Sequence, residues 1–258
     1  MPKKWLIMII FALLMTFGLT KVKAVDYIDA QDIMQENVEF YEYLDIGDTT
    51  FDTGICPCLE NSSADNRLIF LDYYNNFVRW GQLFSINEET NNNSYPIDTN
   101  ENGIKLEYNS SNSGNNAWFR CNRTWNTQYS FPLTFETDQT LFLDFVHKTA
   151  SIGESTYDFS SYIQGDFYTR KTMLLNSNAQ MHSSVYRIYN LSVYIYAHSN
   201  GLTIPVLINN YYACKYTNAI QDIIYGFYDT VNGDILVFAR NPATPPLLRR
   251  RNRKSYYS

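Results

Sequence analysis

The chain has 258 residues, with 20 Lys and Arg against 26 Asp and Glu and a formal net charge of −6 at pH 7. Five of its cations crowd into residues 249–254 and four lysines lie within the first 24 residues, so residues 25–248 carry a net charge of about −15. Such a body repels a phosphate backbone and excludes nucleic acid as a partner, while its length suffices to bury a core as one large or two small domains.

In chain order, Lys3 and Lys4 precede an apolar run from Trp5 to Thr20, and small residues follow at Val22-Lys23-Ala24. A run of that length is short for a bilayer span of roughly 20 residues and has the layout of a secretory signal peptide. Residues 1–24 are therefore expected to be removed, leaving a protein secreted through the endoplasmic reticulum with no stable membrane anchor. Five N-x-Ser/Thr sequons, at Asn61, Asn92, Asn109, Asn122 and Asn190, fit that address, and any that carry glycan must lie on the surface. Cys56, Cys58, Cys121 and Cys214 make an even count, which in an oxidising compartment implies two disulfides. Cys56 and Cys58 are too close to pair comfortably, so each is expected to reach elsewhere, with the connectivity open. No second cysteine pair stands at ligand spacing, so neither a metal nor a cofactor is implied.

The remainder is rich in Tyr, Phe and Thr and punctuated by Asn, Ser and Gly, the make-up of strands with polar turns. Residues 140–146, 184–197, 202–208 and 234–239 read as strands, several with period-two alternation. The Asn232-Gly233 step of VNGD marks a hairpin turn. Helix is expected only in patches, over 30–37 and 66–77, and residues 86–103 read as a polar glycosylated loop. From Pro246 onward a disordered basic tail is expected, 246–258.

Five blocks in order carry a resemblance. LDIGDTTFD (44–52), SSADNRLIF (62–70) and GNNAW (114–118) are similar to the esterase blocks of coronavirus hemagglutinin-esterases. TIPVLINNYYACKY (203–216) and IIYGFYD (223–229) resemble that family's receptor-binding lectin domain. The resemblance implies a mainly β protein: a remnant of an α/β, SGNH-type esterase domain over 25–135, then a jelly-roll or β-sandwich lectin-like domain over 136–245. It puts Thr49 at the nucleophile position and Asn115 at an oxyanion-hole donor. The glycine that supplies another oxyanion amide is replaced in the stretch Ala64-Asp65-Asn66, where a carboxylate opposes developing negative charge.

Ester hydrolysis needs an activated hydroxyl, oxyanion donors and a histidine oriented by an acid. The family's Asp-x-x-His lies after its lectin domain, and here only the basic tail follows. The one Asp-x-x-His, Asp144-Phe145-Val146-His147, falls in a strand-like run, where residues three apart face opposite sides. No esterase activity is expected. Function then falls to the lectin-like half, where the family's spacing places Tyr186, Tyr211 and Tyr212 at glycan contacts. The expected role is that of a secreted viral accessory glycoprotein binding host sialoglycans or sialylated glycoproteins. The alternative is a decoy that engages a host immune or receptor protein without glycan.

Overall fold

The computed structural model describes residues 27–47, 51–56, 67–77, 81–86, 104–111, 114–121, 128–132, 136–161, 173–175, 184–199, 202–246 and 248–250. These form two antiparallel sheets packed face to face, a sandwich-like and mainly β arrangement. In spatial order the larger sheet runs β1 (Tyr27–Ile28), β16 (Ile235–Arg240), β15 (Ile223–Asp229), β14 (Leu202–Thr217), β2 (Val38–Asp45), β13 (Ser184–Ser199), β4 (Arg67–Phe77), β9 (Asp138–Asp144), β10 (Thr149–Ile152) and β11 (Ser155–Asp158). A further strand, β17 (Leu248–Arg250), pairs with β2. The smaller sheet runs β3 (Phe51–Asp52), β12 (Met173–Leu175), β5 (Gly81–Ile86), β6 (Ile104–Ser111), β7 (Gly114–Cys121) and β8 (Gln128–Pro132).

Alternation along the strands sends one set of side chains to the interface between the sheets. On β4, Ile69, Leu71 and Tyr73 are fully buried there, and on β13 Ile188, Leu191 and Val193 join them. From the smaller sheet come Phe84, Leu106, Phe119 and Phe131. Ring contacts stitch the layers, with Phe51 tilted on Phe227 at 5.6 Å and Phe119 stacked on Phe159 at 5.3 Å. A second, smaller cluster gathers Ile33, Cys214, Tyr216, Ile224 and Ile235 at the β14–β15–β16 end. There Gly226 lies so close to its neighbour that a Cβ would stand 2.1 Å from the Leu236 carbonyl oxygen, so the Tyr225-Gly226 pair is a requirement of strand approach.

Several sequence expectations are corrected. Residues 67–77 form a central strand, because β4 pairs on both sides, with β13 and β9, and its inner residues have a core to fill. Residues 30–37 hold two single 3-10 turns, Ala30–Asp32 and Gln35–Asn37, and no α-helix occurs among the described residues. The division at residue 135/136 does not separate two folding units. Both sheets interleave strands from either side of it, β4 lying between β13 and β9 and β12 between β3 and β5. The tail is not wholly disordered: Leu248, Arg249 and Arg250 pair with Leu44, Tyr43 and Tyr41. The Arg249 Nε donates to Glu42 Oε2 at 3.1 Å there. Strand expectations over 184–197, 202–208 and 234–239 match β13, β14 and β16, and the Asn232-Gly233 turn joins β15 to β16 with Gly233 at φ 82°.

Candidate functional site

The face of the larger sheet turned away from the core carries the chemistry. Its geometry follows from register. Tyr74 on β4 stands opposite Arg187 on β13 and Asp138 on β9, and Asp72 stands opposite Asn190 and Thr140. Phe70 stands opposite Ser192 and Phe142. Residues 70, 72 and 74 alternate with the buried 69, 71 and 73, so all three rungs lie on the outer face. A bulge at Tyr189 skips one residue of β13 relative to β4, which keeps Arg187 and Asn190 on the same face although their separation is odd.

Arg187 is the only Lys or Arg between Lys171 and Lys215. Its guanidinium lies between two tyrosine rings, 5.0 Å from the Tyr43 centroid and 4.8 Å from that of Tyr74, a double cation–π arrangement. The Arg187 Nε is buried and has no hydrogen-bond partner, and no carboxylate among the described residues pairs with the group. Tyr189 packs edge-on against Tyr43 at 5.8 Å and donates from its hydroxyl to Asp138 Oδ1 at 2.8 Å. Burial and that hydrogen bond push the Tyr189 phenol well above the usual range, so it stays a neutral donor.

Along the same face the polar rung is tied together. Thr140 Oγ1 donates to Asp72 Oδ1. Asn190 Nδ2 donates to Asn210 Oδ1 at 2.8 Å and to the Tyr211 carbonyl at 3.0 Å, and Ser192 Oγ lies 2.7 Å from Asn190 Oδ1 and 3.0 Å from Asn210 Oδ1. Asn210 is in turn fixed from behind, its backbone N–H donating to the fully buried Asp229.

At the far end lies Asp144, opposite Leu68. The strand expected through 146 ends at Asp144, and residues 145–148 form the turn to β10 with Lys148 at φ 56°. The opposite-faces argument therefore fails. Asp144 Oδ1 accepts from the backbone N–H of Val146 and His147, and Oδ2 meets His147 Nδ1 at 2.6 Å. The imidazole is 64% exposed and sits edge-on to Tyr196 at 6.0 Å, so this is a complete acid–histidine pair open to solvent. Burial and the nearby Asp144 charge raise the Tyr196 phenol above its ordinary value.

The residues expected to carry function fall as follows. Thr49 and Asp65 lie outside the described residues, as do Asn61, Asn92 and Asn122. Asn115 and Asn109 are in β7 and β6, where Asn115 pairs with Ser110 and Asn109 with Asn116. Tyr186 is in β13 opposite Asn75. Tyr211 is 7% exposed within the main core, and burial drives its phenol far up, so it is a core residue and not a surface contact. Tyr212, its neighbour, points to the opposite face and is half-buried. The two cannot line one pocket.

Asn190 is corrected as a glycan acceptor: both hydrogens of its amide are engaged in the middle of the sheet, and a sugar on Nδ2 would displace one of them. Cys214 is also corrected. It is a free thiol at 0% exposure on β14 between β15 and β2, and burial pushes its pKa up to about 12 against two lowering backbone hydrogen bonds. Cys56 is buried at 4%, Cys58 lies outside the described residues, and Cys121 ends β7.

Arg187 was missed because one arginine in an apolar strand reads as a solvated edge. The available signal was its isolation: residues 172–214 contain no other Lys or Arg, and no Asp or Glu.

No family model matches the chain and no curated protein matches it. Among solved structures, the chain is similar to one from Mycobacterium abscessus described provisionally as a beta-glucanase. That match has 9% identity and a TM-score of 0.30, covering 49% of this chain and 63% of that one. A likeness at that level bears on neither mechanism nor ligand.

Proposed function

We propose that the chain is a secreted accessory glycoprotein that binds acidic glycans, sialylated ones foremost, through Arg187 on the outer sheet face, and that it does not hydrolyse esters. The observation that carries this reading is the Arg187 guanidinium, held between Tyr43 and Tyr74 without a carboxylate partner among the described residues. A planar guanidinium on a half-buried side chain suits a sugar carboxylate. The reading answers an electrostatic difficulty, since the acidic body would repel an anionic sugar except where a local cation is kept unneutralised. The five-block resemblance to viral hemagglutinin-esterases points the same way and supplies the viral setting and the vestigial roles of Thr49 and Asn115.

The pairing of the exposed His147 with the buried Asp144 favours a second reading, a hydrolase in which His147 acts as base. Against it, no hydroxyl nucleophile among the described residues bonds the imidazole, and a dyad without nucleophile and oxyanion donors lacks most of the machinery.

Both readings meet one experiment. Binding of sialyllactose and of lactose is measured by calorimetry for the wild type and Arg187→Gln, alongside hydrolysis of an acetyl ester by the wild type and His147→Ala. Sialyllactose binding, absent for lactose and weakened at least about tenfold by Arg187→Gln, supports the lectin, since hydrogen bonds to charged groups contribute about 1.5–3 kcal/mol. Equal binding by wild type and Arg187→Gln refutes it. Ester turnover lost in His147→Ala would establish the hydrolase.

A further inference from the structure

Resting on the acidic-glycan reading, we infer that the site is not a single-sugar pocket but a lane for a linear oligosaccharide of at least three sugars. Its acidic unit sits at Arg187 and a neutral unit at the Phe70–Phe142 end. Register carries this. Tyr74 and Phe70 are four residues apart on one strand, about 13 Å at the usual rise per residue, which is longer than one pyranose ring. Across that distance the outer face changes character in an ordered way.

At one end stands Arg187 between tyrosines, with no carboxylate paired to it among the described residues. In the middle, Thr140 is exposed and Asp72 and Asn190 are half-exposed. Asp72 spends one carboxylate oxygen on Thr140 and keeps the other as an acceptor. A carboxylate–hydroxyl–amide row of this kind matches the hydroxyls of a sugar and has no use for an anion. At the other end Phe70 and Phe142 stack at 4.4 Å, with Tyr194 edge-on to Phe70 at 5.5 Å. All three rings are half-exposed. An aromatic cluster left partly wet on a sheet face suits the apolar side of a neutral sugar. Charge complementarity fixes the direction, because the row's only cation among the described residues is at the Tyr74 end, where Asp138 is engaged by the Tyr189 hydroxyl, whereas the middle rung has Asp72 and no cation.

The lane is preorganised from below. Asn190 and Ser192 are held by Asn210, and Asn210 by the buried Asp229. Binding would therefore order few side chains, which favours affinity from a shallow surface.

The test compares the methyl glycoside of N-acetylneuraminic acid, sialyllactose and a sialylated pentasaccharide on the wild type, Arg187→Gln, Phe142→Ala and Asp72→Asn. Saturation-transfer NMR reads which sugar protons touch the protein, and circular dichroism checks that each variant folds. Sialyllactose should bind about tenfold or more tighter than the monosaccharide, with saturation reaching the third ring. Phe142→Ala and Asp72→Asn should each erase most of that gain and leave the monosaccharide unchanged, whereas Arg187→Gln should weaken all three ligands. If longer glycans bind no tighter than the monosaccharide, or if the gain survives both lane variants, the lane is wrong while the Arg187 site stands. Monosaccharide binding unaffected by Arg187→Gln, or no binding by any acidic sugar, overturns both.

Discussion

Replacing Asp229 with alanine tests whether the β15–β16 turn holds the outer face in place. The carboxylate is 0% exposed and has no cation beside it among the described residues. Instead it accepts four hydrogen bonds, two on each oxygen. Asn210 N–H (2.9 Å) and Val231 N–H (3.0 Å) donate to Oδ1, and Asn209 Nδ2 (2.7 Å) and Asn232 Nδ2 (2.6 Å) donate to Oδ2. In Asp229→Ala the two amide side chains are able to turn to other acceptors, but the two backbone donors, one in β14 and one in the β15–β16 turn, lose theirs. An unsatisfied buried donor costs about 1–3 kcal/mol, and both lie only part-buried, so we take about 1.5 kcal/mol each and expect a loss of ~3 kcal/mol. For a chain of this size that corresponds to a fall in Tm of roughly 6–12 °C. Asp229→Asn keeps an acceptor for the backbone pair and should cost about half as much. Urea denaturation followed by near- and far-ultraviolet circular dichroism measures both. An Asp229→Ala protein within about 1 kcal/mol of the wild type would refute the reasoning, since it would mean water or rearranged side chains replace all four bonds at no cost.

Two further outcomes follow from single residues. Cys214, with its thiol pushed up to about 12, should resist maleimide at pH 8 in the native protein and react on unfolding. Because the folded pKa is raised, this group's contribution to stability is full below the unfolded thiol pKa of about 8.5 and is lost as pH climbs toward 12, so Cys214→Ala should flatten that alkaline decline. Rapid native labelling would contradict this. Glycopeptide mass spectrometry should find Asn190 unmodified, and full occupancy there would show that the Asn190–Asn210–Ser192 network does not form.

Much of the β architecture was readable because alternation is local. Residues 184–197 and 202–208 show period two with their neighbours alone, and Asn232-Gly233 marks its own turn. Other features depend on partners far along the chain. Residues 67–77, with a Leu-Ile-Phe-Leu-Asp-Tyr-Tyr core, carry apolar side chains toward both faces, and this removes the period that separates strand from helix. Only pairing with β9 and β13 settles it. Tyr211 and Tyr212 look alike in sequence, yet one lies in the core and the other on the opposite face, because strand parity becomes meaningful only once the second sheet covers one side. Asp144 and His147 meet because a turn with Lys148 at positive φ interrupts an apolar run, a conformation that its residue types do not announce. The same holds for Arg187. Its isolation in the sequence is plain, but that it sits between Tyr43 and Tyr74, from strands more than a hundred residues away, is decided by sheet order and by a one-residue bulge. Local periodicity is set by bonded geometry within a few residues. Which faces are covered, and which charges stay unpaired, is set by long-range pairing that no window of sequence contains.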